Sequence, residues 1–76
     1  MLTLNNVIKN KRVKIKSIHA QGDLNCRLQE LGFLPGMFVE LVNKLPFNGP
    51  LAVNVQGAKI ALRFEDATRI IIDTPS

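Results

Sequence analysis

Apolar and polar positions alternate with a period of two along residues 12–16, 51–56 and 58–63, and shift to helical spacing over residues 23–31. In the first stretch Val13 and Ile15 interleave with Arg12, Lys14 and Lys16, the pattern of a half-exposed strand. Ile18 breaks the parity, which predicts a bulge or bend near Ser17. The helical stretch reads as a short helix with Asp23 as its N-cap and Leu24, Leu28 and Leu31 on one face. Gly32 falls where a left-handed C-cap is wanted, and Pro35 follows where a helix cannot continue. A helix this short does not persist alone, so its leucine face must dock on something. Pro35-Gly36 then turns the chain into a second, β-branched strand over about residues 38–45.

Pro46-Phe47-Asn48-Gly49-Pro50 is turn chemistry throughout, with Asn-Gly able to take positive φ. Leu51, Val53 and Val55 then alternate with Ala52, Asn54 and Gln56, and after Gly57 the apolar set becomes Ala58, Ile60 and Leu62. A two-residue turn at Gln56-Gly57 pairs Val55 with Ala58, Val53 with Ile60 and Leu51 with Leu62. Directly paired residues share a sheet face, so the turn and both patterns agree on one register. Phe64-Glu65-Asp66-Ala67 reads as one helical turn, with Glu65 and Asp66 as a cap, and residues 68–72 as a last strand. Residues 73–76 are expected to fray. Four or five short strands with one small helix between the first two predict a mainly β fold, a small, partly open β-barrel.

The chain's 76 residues make one domain, residues 1–76, and 46% hydrophobic content is that of a folded protein. Its lone cysteine, Cys26, excludes an internal disulfide and fits a reducing, cytoplasmic setting, where it is expected beside the buried face of the helix. No apolar run approaches the ~20 residues of a spanning helix, and the N-terminal 16 residues lack the continuous apolar stretch of a signal peptide. The net charge is +4, with Lys9, Lys11, Arg12, Lys14 and Lys16 in one cluster. That cluster suits an acidic partner, an anionic inner-leaflet surface or a nucleic-acid backbone, and equally a strand edge guarded by lysines.

Catalysis needs a reactive group with a tuned neighbour, and His19 and Cys26, the single histidine and thiol, have no evident third group to orient them. There is no nucleotide-binding G-x-x-x-x-G-K-[ST] loop and no H-x-x-x-H, E-x-x-H or C-x-x-C spacing. The expectation is a non-enzyme without cofactor or tight metal site.

The helix ending in Leu28-Gln29-Glu30-Leu31-Gly32-Phe33-Leu34-Pro35-Gly36, the strand Val39 to Val42, the turn Gly49-Pro50, the run Gly57 to Arg63, and Glu65 to Ala67 followed by Ile70 to Ile72 together resemble the FeoA family. The match spans about residues 13–72. The resemblance implies an SH3-like barrel and a cytosolic accessory of bacterial ferrous iron uptake. Its partner would be the cytosolic, GTPase-bearing region of the membrane transporter FeoB. A similar barrel also forms the C-terminal module of iron-dependent transcriptional repressors, so the fold does not settle the function. A chain with no helix-turn-helix before the barrel fits the transport accessory better.

Such a barrel binds partners in grooves between its loops. The candidate contact residues are Leu28, Leu31, Phe33, Leu34, Pro35, Met37 and Phe47, with Arg12, Lys14 and Lys16 steering an acidic surface. The competing reading makes the apolar set ordinary core capping the barrel ends, with Leu24, Leu28 and Leu31 beneath the helix. With no tyrosine or tryptophan, proline-peptide recognition is unsupported. Membrane contact is expected to be peripheral, through the partner, and weak self-association is compatible with the sequence. The alternative function is a nucleic-acid-binding or metal-responsive regulatory barrel. Against nucleic acid stands the lack of stacking aromatics among Ala52, Asn54, Gln56, Lys59 and Ala61 on the outward strand faces.

Overall fold

The period-two stretches form strands, and the strands form one antiparallel sheet in the order β4-β3-β2-β1-β5. The computed structural model describes residues 2–73. The strands are β1 (Arg12–Ile18), β2 (Phe38–Lys44), β3 (Leu51–Val55), β4 (Ala58–Leu62) and β5 (Ile70–Asp73). Helix α1 (Gly22–Glu30) joins β1 to β2, and a single turn, α2 (Phe64–Ala67), joins β4 to β5. The sheet curls around its apolar face without a β4–β5 pairing among the described residues.

Alternation decides which face is buried. Val13 and Ile15 of β1, Val39 and Leu41 of β2, and Leu51, Val53 and Val55 of β3 are all buried, while Arg12, Lys14, Lys16 and Asn54 point out. The hairpin has the register its sequence predicts, Val55 opposite Ala58, Val53 opposite Ile60 and Leu51 opposite Leu62. Gln56 (φ 52°) and Gly57 (φ 80°) make the left-handed two-residue turn that matches the twist of the strands. On β4 the apolar row thins outward: Leu62 is buried, Ile60 half-buried and Ala58 exposed. The expected irregularity near Ser17 is a register shift between Ile15 and Ser17 against β5.

Several boundaries differ from expectation. Asp23 is not the N-cap; Gln21 is, with no side-chain capping bond, and Asp23 sits in the first turn, where its charge still favours the helix dipole. Cys26 is exposed, because it lies two residues from both Leu24 and Leu28 and so on the far side of the helix. Leu31 also escapes full burial: it is the helix's C-cap, still with helical dihedrals, and is partly exposed. The last strand begins at Ile70, as Thr68 and Arg69 are taken up in the turn after α2, where the Thr68 hydroxyl donates to the Glu65 carbonyl at 2.6 Å. Asp73, expected to fray, instead pairs with Lys14; the same expectation for residues 74–76 lies outside the described residues. Asp66 is no cap: it is buried, and Arg27 of α1 donates to it at 3.2 Å, tying the helix to the end of the sheet.

The N-terminal segment forms an element that the alternation does not announce. Leu4 opens a 3-10 turn (Leu4–Asn6) and is fully buried, with Val7 beside it in the same core. Thr3 bridges Ile71, and the Ile72 N–H donates to the Leu2 carbonyl at 2.9 Å. Leu4→Ala should therefore cost about 2–5 kcal/mol, read as a lower midpoint in urea with unchanged m; a loss below about 0.5 kcal/mol would show that this segment does not seal the core.

Candidate partner-binding surface

The corner between α1 and β2 is built by backbone hydrogen bonds. The Phe33 N–H donates to the Leu28 carbonyl at 2.9 Å and the Gly32 N–H to the Gln29 carbonyl at 3.0 Å, with Gly32 at φ 102°. These are the two bonds of a Schellman helix end, whose usual companion is an apolar contact between the residues at its outer bond. Here those residues are Phe33 and Leu28, both fully buried. A Cβ at Gly32 would make only ordinary contact with the Gln56 side chain, so the position's demand for glycine comes from its left-handed backbone.

A second turn follows at once. The Met37 N–H donates to the Leu34 carbonyl at 3.0 Å across Pro35 and Gly36, and Gly36 has φ 91°. Proline followed by a left-handed glycine is the chemistry of a type II turn. The turn is fastened to β1: the Gly36 N–H donates to the Ile15 carbonyl and the Ile15 N–H to the Met37 carbonyl, both at 2.8 Å. Leu31 and Leu34, each 38% exposed, and the exposed Pro35 are thereby held outward, with Met37 half-buried below them. Lys14 and Lys16 flank Ile15 and are exposed, so the apolar corner adjoins the basic strand. Arg12 lies over the ring of Phe38 at 4.5 Å from its centroid, and the two border an open hollow with Glu40, Asn54 and Gln56 on the outer sheet face.

Of the ten residues expected at a contact surface, the structure brings together Leu31, Leu34, Pro35, Met37, Lys14 and Lys16, with Arg12 farther along the same strand. Leu28 and Phe33 are corrected: both are fully buried and act through packing. Phe47 stands apart. It is 100% exposed at the tip of the β2–β3 turn, at φ 59°, about 20 Å from the corner by the rise of β2. The sequence reading missed Phe38, whose outward position in β2 its alternation with Val39 could have shown. It also missed the Arg27–Asp66 link, which spans 39 residues and has no local signal.

His19 and Cys26 are exposed in separate surface hollows, His19 with Leu24 and Arg69, Cys26 with Asp23 and Glu30. Among the described residues no three His, Cys, Asp or Glu side chains converge as metal ligands, and no helix is long and apolar enough to cross a membrane.

Residues 2–74 match the FeoA domain. The chain belongs to the FeoA family. Comparison with curated proteins gives no match. Among solved structures, it is similar to iron(II) transport protein A from Clostridium thermocellum, with 26% identity and a TM-score of 0.89 over 95% of this chain and 44% of that one. The present chain thus spans less than half the length of that protein. It is also similar to FeoA from Stenotrophomonas maltophilia in complex with zinc, with 34% identity and a TM-score of 0.83 over 96% and 91% of the two chains. That protein is described as a prokaryotic SH3 domain protein proposed to be a bacterial ferrous iron transport activating factor. A manganese-dependent transcriptional repressor shares the fold at 15% identity and a TM-score of 0.84, over 96% of this chain and 41% of that one. The unclosed five-stranded sheet of this FeoA chain is thus SH3-like.

Because Gly32 holds a left-handed conformation at φ 102°, Gly32→Ala should destabilise by about 1–2 kcal/mol. Chemical denaturation followed by circular dichroism measures it, and a neutral result would show that the corner does not depend on this helix end.

Proposed function

We propose that this FeoA chain is a non-enzymatic cytoplasmic accessory of bacterial ferrous iron uptake. It binds and regulates a FeoB-type, GTPase-linked transporter through that transporter's cytosolic region, at the inner face of the membrane. The observation that carries the reading is the apolar corner of Leu31, Leu34 and Pro35, fixed in place by the two hydrogen bonds to Ile15 and bordered by Lys14 and Lys16. A surface already held in one conformation loses little entropy on binding, and apolar residues inside a charged rim are the usual anatomy of a protein contact. Membership of the FeoA family, and the likeness to a protein named iron(II) transport protein A, support the process; the transporter is the partner that the family resemblance implies. Nucleic acid is the poorer partner: Ala52, Asn54, Gln56, Lys59 and Ala61 on the outer face offer no rings for stacking, and the Phe38 ring is covered by Arg12.

The test is binding of the purified chain to the transporter's cytosolic region, with melts run on every variant. Leu34→Asp should weaken the complex by about tenfold or more with an unchanged melt, as for an anchor residue at the centre of a contact. Lys14→Glu combined with Lys16→Glu should chiefly slow association and flatten its salt dependence. Normal binding by a folded Leu34→Asp protein would remove the corner from consideration.

A further inference from the structure

The two margins of the sheet are unequal. At β5 the N-terminal segment occupies the edge, through the Thr3–Ile71 bridge and the bond from Ile72 to Leu2. At β4 no described residue pairs with the strand from the side away from β3. The Gln56-Gly57 hairpin fixes which backbone groups face outward there. In a two-residue hairpin the closing pair, Val55 and Ala58, exchange both of their hydrogen bonds, and so in turn do Val53 with Ile60 and Leu51 with Leu62. Lys59 and Ala61 therefore direct N–H and C=O away from the sheet, two donors and two acceptors in a row. Unlike β1–β5 and β2–β3, the β3–β4 pairing has no register shift, so the margin is regular enough to receive another strand.

Charge selects the occupant. Lys59 and Arg63 bracket Ala61, and all three are exposed. A second copy pairing antiparallel meets this pattern in itself. Centred on Lys59 it opposes two Lys59 side chains, and centred on Ala61 it opposes Lys59 to Arg63. Centred on Ile60 it avoids a direct clash. Even so, that register brings together two chains that each carry a net charge of +4, whereas an acidic segment is attracted to the same margin. On the outer face Ala61 borders a shallow apolar hollow with Leu45, Pro50 and Ala52. The geometry points to an extended segment of another protein that adds to β4 as a sixth strand. Acidic residues of that segment face Lys59 and Arg63, and an apolar residue between them sits over Ala61. Backbone bonds to Lys59 and Ala61 supply affinity, and the alternate side chains supply selection.

The probe is a blocked peptide, Thr-Glu-Thr-Leu-Thr-Glu-Thr, titrated into the isotopically labelled full chain by NMR, with a control carrying lysine at both glutamate positions. The Lys59 and Ala61 amides should move most, and the inward-bonded Ala58, Ile60 and Leu62 amides least, with no response to the lysine peptide. Ala61→Pro removes an outward N–H that the ladder does not use, as edge strands tolerate. It should hold the melt and weaken binding about fivefold to tenfold. Lys59→Glu should weaken the acidic peptide and admit the lysine peptide, and it decides the matter if Ala61→Pro does not fold. Even shifts along β4, absence of saturation at millimolar peptide, or unaltered binding by a folded Ala61→Pro protein would overturn the proposal. Self-association of the free chain through Lys59 and Ala61 would overturn it too, by giving the margin to a second copy. No transporter enters this assay, so its failure leaves the Leu34 experiment untouched, and the reverse holds.

Discussion

One apolar sheet face has to be kept dry by a short chain that has no disulfide to hold it, and the other features follow from that constraint. Val13, Ile15, Val39, Leu41, Val53 and Val55 share the face, and the sheet curls over it without closing. Closure comes instead from plugs. Leu4 arrives from the N-terminus, Leu28 from α1, Phe33 from the corner and Ala67 from α2, each fully buried. The Arg27–Asp66 bond holds two of those plugs together, and the residues around it become fixed points of the surface.

The same economy determines what stays outside. The Schellman end buries Phe33 against Leu28 while Leu31 stays partly exposed, and the Pro35-Gly36 turn that starts β2 leaves Leu34 in solvent. One run of residues, 28–37, thus supplies both core side chains, Leu28 and Phe33, and exposed apolar ones, Leu31 and Leu34. That sharing explains why a single substitution in this run is interpretable only beside a measurement of stability.

Much of this was legible in the sequence where the signal is local. The β3–β4 register follows from two period-two patterns meeting at Gln56-Gly57, and the Ser17 irregularity from the parity break at Ile18. Gly32 marked the helix end correctly, and the six-to-one bond of that motif would have placed Phe33 inside. What could not be read depended on distant partners. Leu4 and Val7 sit among Thr and Asn with no period, and only packing into the core beside β5 and α2 gives them a role. Asp66 looked like a cap because its partner Arg27 lies in another element. Phe47 and Leu34 both flank prolines in turns, yet the length of β2 separates them, a fact of topology rather than of pattern.

We propose that the transporter is met at the corner held by Ile15. Mapping the amide resonances of the labelled chain during titration with the transporter's cytosolic region tests it most directly. Contact at the corner should give the largest shifts and broadening at Leu31, Leu34, Gly36 and Met37 and along Lys14 and Lys16, with the Val53 and Leu4 amides unmoved. Shifts confined to Phe47 and its turn, or no perturbation at saturating concentration, would contradict it.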